Sequence, residues 1–419
     1  MRWILGGTLV LSWLVGATGA AAETAPLTVD DCVRLALARS PAARAAGFDV
    51  AAALARLRAA RAAYAPRLSA QAEYGRAAGF DEAITNGGST AALLTVEATL
   101  LDGGLRDAQF AAASARVHSA KALEQQRLAD VAFAVRVADL SAVAAHAEVA
   151  IQQRTQRTLH DYADLLQRQE QLGAVPYNDT LRARLAADTA GAAARGAAAE
   201  RDAALSELTT LTGTDLTAEL LVEPPEHSFT PADTATIEAS PVLTEAQAAV
   251  EAARHETEAV RSEWRGHVQL TASGGALGVS PDHTFQDNGG GQFLLGFALP
   301  LYDGGAAAAR IAAAAAAADS AAAELRESRL TLVTALARVR IDARRATADL
   351  AEWQHAVPRA AENFELMRAR YLGGGNARLL EVLDALTQYV DTQLAVQRAR
   401  LAAGLAIAKQ QQLVGEVTP

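Results

Sequence analysis

The chain has 419 residues and a formal net charge of −10 at neutral pH, and aromatic residues make up 5% of it. An acidic chain of this kind argues against binding to nucleic acid, which requires a positively charged surface. Alanine is abundant while proline and aromatic residues are scarce, a composition typical of long, closely packed helices rather than of an enzyme. Because Cys32 is the single cysteine, an intrachain disulfide is excluded.

The first 22 residues have the features of a secretory signal. Arg2 provides a charged start, residues 4–15 are mostly apolar, and small residues at 20–22 precede Glu23. The apolar run is too short and too interrupted by glycine for a membrane-spanning helix. We therefore predict that residues 1–22 are a signal peptide and that the mature chain is exported.

The remainder of the chain carries the same pattern twice. Ser40-Pro41 returns as Ser240-Pro241, and the Asp-Gly-Gly sequence at 102–104 returns at 303–305. A tandem duplication of this size limits the folds that the chain can adopt, since each copy must form the same unit. We assign a first repeat to 23–213, a linker to 214–239, a second repeat to 240–415 and a tail to 416–419.

Each repeat begins with a helix and continues with two amphipathic strands. Serine followed by proline is typical of a helix N-terminus, because the serine side chain caps the helix and proline fits its first turn. Alternating apolar and polar residues predict strands at about 67–76 and 92–101, and again at about 267–277 and 292–301. Segments of about ten residues are long enough for a tilted strand to cross a bilayer.

A very long helix follows the strands in each repeat, at about 104–172 and about 305–371. In both helices apolar residues recur in steps of four and three, which is the heptad pattern of a coiled coil. Nearly seventy residues make a helix roughly 100 Å long, which must pack against other helices. Pro358 lies inside the second long helix, where we expect it to kink the helix.

The four predicted strands require more than one chain. Four strands cannot close into a barrel, and open sheet edges cannot lie in lipid because their N–H and C=O groups would be unpaired. Two chains would supply eight strands, which fill a barrel with their own side chains, whereas three would supply twelve and leave an aqueous pore. The geometry therefore favours a trimer with a β-barrel at one end and a helical tube at the other.

The chain resembles the TolC-type outer-membrane efflux factors over almost all of the mature sequence. The matching stretches are 27–41, the two Asp-Gly-Gly turns and 371–386, of which the last is the most specific. The resemblance implies a mainly α-helical tandem repeat with long coiled-coil hairpins and two β-hairpins per chain. It further implies a homotrimer, with a twelve-stranded barrel in the outer membrane of a Gram-negative cell and a twelve-helix periplasmic tunnel.

Glu381 and Asp384 are candidate residues of the tunnel mouth. They are three residues apart and so share one helix face, which by itself indicates an ordinary solvated surface. The resemblance gives them a second interpretation, because acidic residues at these positions ring the periplasmic mouth in this family. Three chains would then place six carboxylates in a narrow pore, which favours cations and can bind metal ions.

The resemblance also predicts a polar lock between the two repeats. Asn178 and Asp179 stand where the family has polar residues that contact a tyrosine and an arginine. Tyr371 matches that tyrosine, while Arg378 lies one position away from the arginine because the glycine run at 373–375 has an extra residue.

Glycine residues mark the two helix-to-helix turns at the same end of the tunnel. These residues are Gly173, Gly373, Gly374 and Gly375. Glycine is the ordinary terminator of a helix, and the resemblance makes these turns the docking points of a periplasmic adaptor protein.

Two hypotheses from different functional classes follow. The first is a passive exit duct of a tripartite efflux or type I secretion system, whose partners are outer-membrane lipid, an adaptor and an inner-membrane pump or secretion ATPase. The alternative is a periplasmic or surface coiled-coil scaffold, which explains the heptads but not the paired strands. The histidines lack ligand spacing and no nucleotide or nucleophile motif is present, so we expect neither an enzyme nor a cofactor.

Overall fold

A computed structural model of the chain describes residues 27–79, 81, 88–217, 229–278, 289–373 and 377–417. The predicted signal peptide at 1–22 lies outside these residues, as do Gly374, Gly375 and the central part of the predicted linker.

The first repeat forms two helices, a β-hairpin and a helical hairpin. Its elements are α1 Val29–Arg39, α2 Pro41–Ala62, β1 Arg67–Arg76, β2 Gly88–Leu101, α3 Leu105–Gln171 and α4 Tyr177–Thr212. Ser40 caps α2 by accepting a hydrogen bond from the Ala43 N–H at 3.3 Å, and Pro41 occupies the first helical turn, where its missing N–H has no partner to lose.

The second half of the chain forms the same series of elements, beginning with a short helix at the end of the predicted linker. They are α5 Thr234–Glu238, α6 Pro241–Ser262, a 3-10 turn at Glu263–Arg265, β3 His267–Gly278, β4 Gly289–Ala298, α7 Ala306–Leu372 and α8 Leu379–Val414. Strand β4 ends at Ala298 although the sequence pattern continues to about 301, because Pro300 has no N–H for the ladder.

The Asp-Gly-Gly turns convert each β-hairpin into a long helix. Gly104 and Gly305 have φ values of 93° and 92°, a left-handed conformation that is costly for any residue with a Cβ. Asp102 accepts from the N–H groups of Gly104 and Arg106 at 3.2 and 3.0 Å. Asp303 does the same for the second long helix, so the aspartates bind N–H groups that the helix leaves unpaired.

Helices α3 and α7 each run for 67 residues without interruption. At 1.5 Å per residue, each is roughly 100 Å long. Pro358 lies within α7, and it costs the helix one backbone hydrogen bond without ending it.

The four long helices form a wall in the order α4–α3–α8–α7. Helix α3 packs against α4 and α8, and α7 packs against α8. Helix α6 lies across both α3 and α7, whereas α2 lies on α3. The wall carries the sheet at one end; at the other end, here called the tip, α3 turns into α4 and α7 leads to α8.

The four strands form one antiparallel sheet in the order β1–β2–β3–β4. The register places Leu68 opposite Val96 and Ala272 opposite Phe293, whereas Arg67 lies opposite Glu97 on the other face. Since side chains alternate between faces along a strand, one face of the sheet is apolar and the other is polar. Strands β1 and β4 each have a neighbour on one side, so the sheet is open at both edges.

In the part of the chain that the structure describes, no helix combines the length and apolar character needed to cross a membrane.

Candidate functional site

The tip is held together by a cluster of apolar side chains from four helices, here called the tip cluster. Its buried members are Leu159, Tyr162, Ala163, Leu166, Ala183, Ala187, Ala190, Phe364, Leu379, Val382, Ala385 and Leu386. Phe364 stacks on Tyr389, with ring centroids 6.4 Å apart and ring planes inclined by 9°. The cluster joins both helical hairpins, so the hairpins cannot separate at the tip without exposing apolar surface.

One hydrogen bond at the tip joins the two repeats directly. The Tyr371 hydroxyl, at the end of α7, donates to the Asp179 carboxylate in the first turn of α4 at 3.1 Å. The ring of Tyr162 lies beside that of Tyr371, with centroids 6.1 Å apart. Burial and the neighbouring Asp179 raise the pKa of Tyr371 to about 12, so this hydroxyl remains a donor at physiological pH.

The other predicted lock residues do not join this bond. Asn178 is exposed beside Asp179. Arg378 precedes α8, and its backbone N–H donates to Glu381 Oε2 at 3.2 Å. Among the described residues, the Arg378 guanidinium has no ion pair with Asp179, Glu381 or any other carboxylate. The extra glycine before Arg378 is consistent with this different arrangement.

Glu381 and Asp384 are both exposed on the first turns of α8. Asp384 accepts from the side-chain amide of Gln388 at 3.0 Å, and Glu381 is held by the backbone of Arg378. One chain thus presents two carboxylates on one side of the tip. Within the described residues no group of three or more His, Cys, Asp and Glu side chains could hold a metal ion.

The two tip turns differ in their need for glycine. Gly173 has a φ of 73° and donates its N–H to Glu170 O at 2.8 Å, so it occupies the left-handed position of a helix C-terminus. Gly373 also closes its helix, with its N–H on Ala369 O at 2.9 Å, but its φ is −80°. Any residue can adopt that value, but a Cβ at 373 would lie 3.0 Å from the Ala369 carbonyl oxygen, so glycine is favoured there by the lack of space and not by its φ.

Sequence reasoning missed the contribution of Tyr162 to the tip. Tyr162 belongs to the tip cluster and is 8% exposed. The available signal was an aromatic residue near the end of an alanine-rich helix. Its neighbours, Phe364 and Tyr371, come from the other repeat, and a heptad pattern alone does not pair residues across repeats.

A second functional feature is a set of exposed apolar residues whose equivalents in the other repeat are buried. Leu330 and Val333 of α7 are 70% and 49% exposed, whereas Ala129 and Ala132, at the same positions of α3, are fully buried. Phe48 of α2 is 74% exposed although Ala248, its equivalent in α6, is 5% exposed. These surfaces lack, within one chain, the partner that the other copy has.

The missing partners can be identified from the repeat. Within the chain α3 packs on α8 and α6, and β2 pairs with β3. The equivalent contacts would join α7 to α4 and α2, and β4 to β1. Apart from the Tyr371–Asp179 contact at the tip, these pairs have no extensive packing within the described residues, so a single chain leaves these contacts unformed.

Comparison with known proteins identifies the same organisation. A family model described as "Outer membrane efflux protein" matches residues 32–214 and, a second time, residues 234–416. No curated protein sequence matches the chain.

Solved structures of outer-membrane channels are similar over nearly the whole chain. A membrane protein from Pseudomonas aeruginosa superimposes with a TM-score of 0.83 at 22% identity, covering 92% of this chain and 93% of that one. The outer membrane protein VceC of Vibrio cholerae gives 0.80 at 21% identity, with 92% and 96% covered. The open-state MtrE channel of Neisseria gonorrhoeae gives 0.82 at 18% identity, with 93% and 89% covered. At these identities the likeness concerns the fold.

Proposed function

The chain belongs to the outer membrane efflux protein family, and on that premise we propose that it forms the exit duct of a tripartite efflux or type I secretion system. The duct is passive: cargo is delivered by an inner-membrane pump or secretion ATPase through a periplasmic adaptor. The observation that carries this proposal is that three surfaces of the chain lack the partner that their equivalents in the other repeat have. The sheet edges, the α7 edge and the exposed face of α2 all require a neighbouring copy of the same chain.

These three contacts support a closed ring of chains. Each chain offers β1, α2 and α4 on one side and β4 and α7 on the other, so the contact is head-to-tail and closes by rotation. A ring satisfies the N–H and C=O groups of the sheet edges, which lipid would leave unpaired. Three chains supply twelve strands, the smallest ring here with room for an aqueous pore, and we therefore propose a homotrimer.

The sheet supports an orientation for this ring. Its apolar face, with Leu68, Val96 and Phe293, would contact outer-membrane lipid, and its polar face, with Arg67 and Glu97, would line the pore. The helical wall then extends into the periplasm and places the tip toward the inner membrane. A coiled-coil scaffold, the alternative interpretation, has no need of a sheet with one apolar face.

We propose that the tip is the gate of the duct and the docking point of the adaptor. The Tyr371–Asp179 bond and the tip cluster support a closed state in which the α7–α8 hairpin is fastened to the first repeat. Glu381 and Asp384 would form the acidic ring of the mouth, and the turns at Gly173 and Gly373–Gly375 would receive the adaptor.

A planar lipid bilayer tests the proposal most directly. Purified protein in detergent should have the mass of three chains and, after reconstitution, should form ion-conducting channels. When the membranes of the cells are separated, the protein should be found in the outer-membrane fraction. A soluble monomer without channel activity would contradict the duct and leave the scaffold as the better interpretation.

A further inference from the structure

A cavity of about 320 Å³ lies beside the tip cluster, among helices α3, α7 and α8. Its size lies at the lower end of the range for small-molecule sites. The apolar residues that line it include Leu159, Leu165, Phe364, Leu383 and Leu386.

Tyr162 also lines this cavity, and its hydroxyl is a buried polar group without a hydrogen-bond partner within the described residues. Buried hydroxyl groups nearly always have a partner. Burial raises the pKa of this phenol well above its ordinary value, so the hydroxyl stays protonated and can donate. Phe364 and Leu386 are themselves buried, which leaves an apolar space beside an unused donor.

The rim of the cavity carries charges of both signs, Asp161 and Arg368. Tyr162 is also close enough to Asp179 and Arg368 to feel both charges. Because most of the lining is apolar, an ion would lose its hydration inside the cavity, and the site therefore favours a neutral molecule.

We propose that the cavity binds a small, neutral amphiphilic molecule, with an apolar body among the leucines and one acceptor that takes the hydrogen bond of the Tyr162 hydroxyl. Such a ligand touches α3, α7 and α8 next to the Tyr371–Asp179 bond. Since a ligand favours the conformation that it binds best, occupation favours the closed tip. This last consequence depends on the gate proposed above, whereas binding itself does not.

Benzophenone is a suitable probe, because it has two phenyl rings and a single carbonyl acceptor. Under near-ultraviolet light the excited carbonyl oxygen takes a hydrogen atom from a nearby C–H group, and the two resulting carbon radicals join. The assembled protein in detergent is irradiated at increasing benzophenone concentrations, and labelled peptides are located by mass spectrometry. We expect saturable labelling of segments 158–165, 364–372 or 382–386.

Two variants with matched controls test the assignment. Leu165→Trp fills the cavity and should abolish the saturable labelling, while Leu123→Trp, at an exposed position of the same helix, should not. Tyr162→Phe keeps the ring and removes the donor, so half-saturation should require about threefold to tenfold more benzophenone. Tyr389→Phe, a tyrosine that packs on the cluster without lining the cavity, should leave it unchanged.

Several results would overturn the proposal. They are labelling that does not saturate, labelling at other segments, or equal labelling of wild type and Tyr162→Phe. Labelling of the isolated chain that disappears on assembly would mean that a neighbouring copy fills the cavity, which also overturns it. None of these readouts uses channel activity, so a failure here is distinguishable from a failure of the proposed duct.

Discussion

Helices α3 and α7 are copies of each other with very different surroundings. Both have 67 residues and both start from a left-handed glycine with an aspartate cap. Eighteen residues of α3 are buried, compared with seven of α7. The difference does not come from helix propensity, because α7 contains more alanine than α3. It arises because α3 lies inside the wall, whereas α7 lies at its edge, where α6 and α8 pack against it.

Replacing apolar residues on the α7 edge should have the largest effect. Leu330 and Ile341 of α7 are 70% and 65% exposed in one chain, and in the proposed ring they would face the neighbouring copy. Leu330→Asp combined with Ile341→Asp would bury two unpaired carboxylates there and lose the burial of two large side chains. The transfer loss alone is about 1.5–3 kcal/mol for each side chain, and the buried charges add to it. We expect the trimer to be lost, and light scattering coupled to size exclusion in detergent measures this.

The matched control carries the same charges at positions that are exposed in both copies. Thr331→Asp and His355→Asp lie on α7, and their equivalents on α3, Asp130 and Arg154, are also exposed. This double variant should remain trimeric. Dissociation of both variants would mean that added negative charge, rather than a specific edge, is responsible.

The second difference between the two helices is a buried carboxyl group on α3. Asp139 is 1% exposed and its oxygens have no hydrogen-bond partner in the described residues, while Arg340, its equivalent on α7, is exposed. Burial raises the pKa of Asp139 to about 7. The buried Cys32 lies near it, and the Arg136 guanidinium donates to the Glu416 and Val417 carbonyl groups.

The raised pKa predicts a stability that falls as the pH rises. Between about pH 4 and pH 7 the folded chain holds a proton on Asp139 that the unfolded chain has released, so unfolding free energy decreases across this window. A carboxyl pKa raised from its ordinary value near 4 to about 7 corresponds to roughly 4 kcal/mol of stability. Compared with the wild type, Asp139→Asn should therefore raise the unfolding temperature more at pH 8 than at pH 4.5. Thermal unfolding of both proteins in detergent at the two pH values measures this.

Arg340→Gln serves as the control for this experiment. It changes the equivalent residue of α7, which is exposed, and should shift the unfolding temperature by the same small amount at both pH values. If Asp139→Asn also has the same effect at both pH values, Asp139 is already ionised at pH 4.5 in the folded chain, and its pKa is not raised by folding.

The helical hairpins and their repetition could be predicted from the sequence, because their signals are local. The Asp-Gly-Gly turns and the serine–proline caps act within a few residues, and the heptad pattern persists along the whole helix. The end of β4 was predicted wrongly because the apolar alternation passes Pro300, where the ladder cannot continue. Family membership confirms the outer-membrane efflux function that the resemblance implied.

The contacts of the candidate gate depend on packing between the repeats, which the sequence carries only weakly. Tyr371 and Asp179 are 192 residues apart, and their equivalents in the other copy are Glu170 and Glu381, two carboxylates that cannot form such a bond. Tyr162 gave no periodic signal that distinguished it from other seam residues. Contacts of this kind between the repeats can be identified only when the order of the helices in the wall is known.

The end of α7 differs from the end of α3 through the Tyr371–Asp179 bond. Tyr371→Phe removes a hydrogen bond to a carboxylate, which contributes about 1.5–3 kcal/mol. The equilibrium constant that favours the closed over the open tip should therefore fall roughly tenfold or more. Open probability in single-channel recordings should rise accordingly. Asp179→Asn keeps a weaker acceptor and should raise it less, whereas an unchanged open probability in both variants would mean that the tip cluster alone holds the tip.

The smallest effect is expected at the acidic residues of α8. Glu381→Gln with Asp384→Asn removes two exposed carboxylates per chain, and because exposed charges are screened by water and salt, cation preference should fall only a few-fold. The reversal potential under a salt gradient measures this, best at low ionic strength. Asp164→Asn is the control on α3, where the carboxylate is also exposed. If Glu381 and Asp384 line the mouth, the reversal potential of the double variant should differ from that of this control. Equal reversal potentials would place the narrowest part of the pore elsewhere.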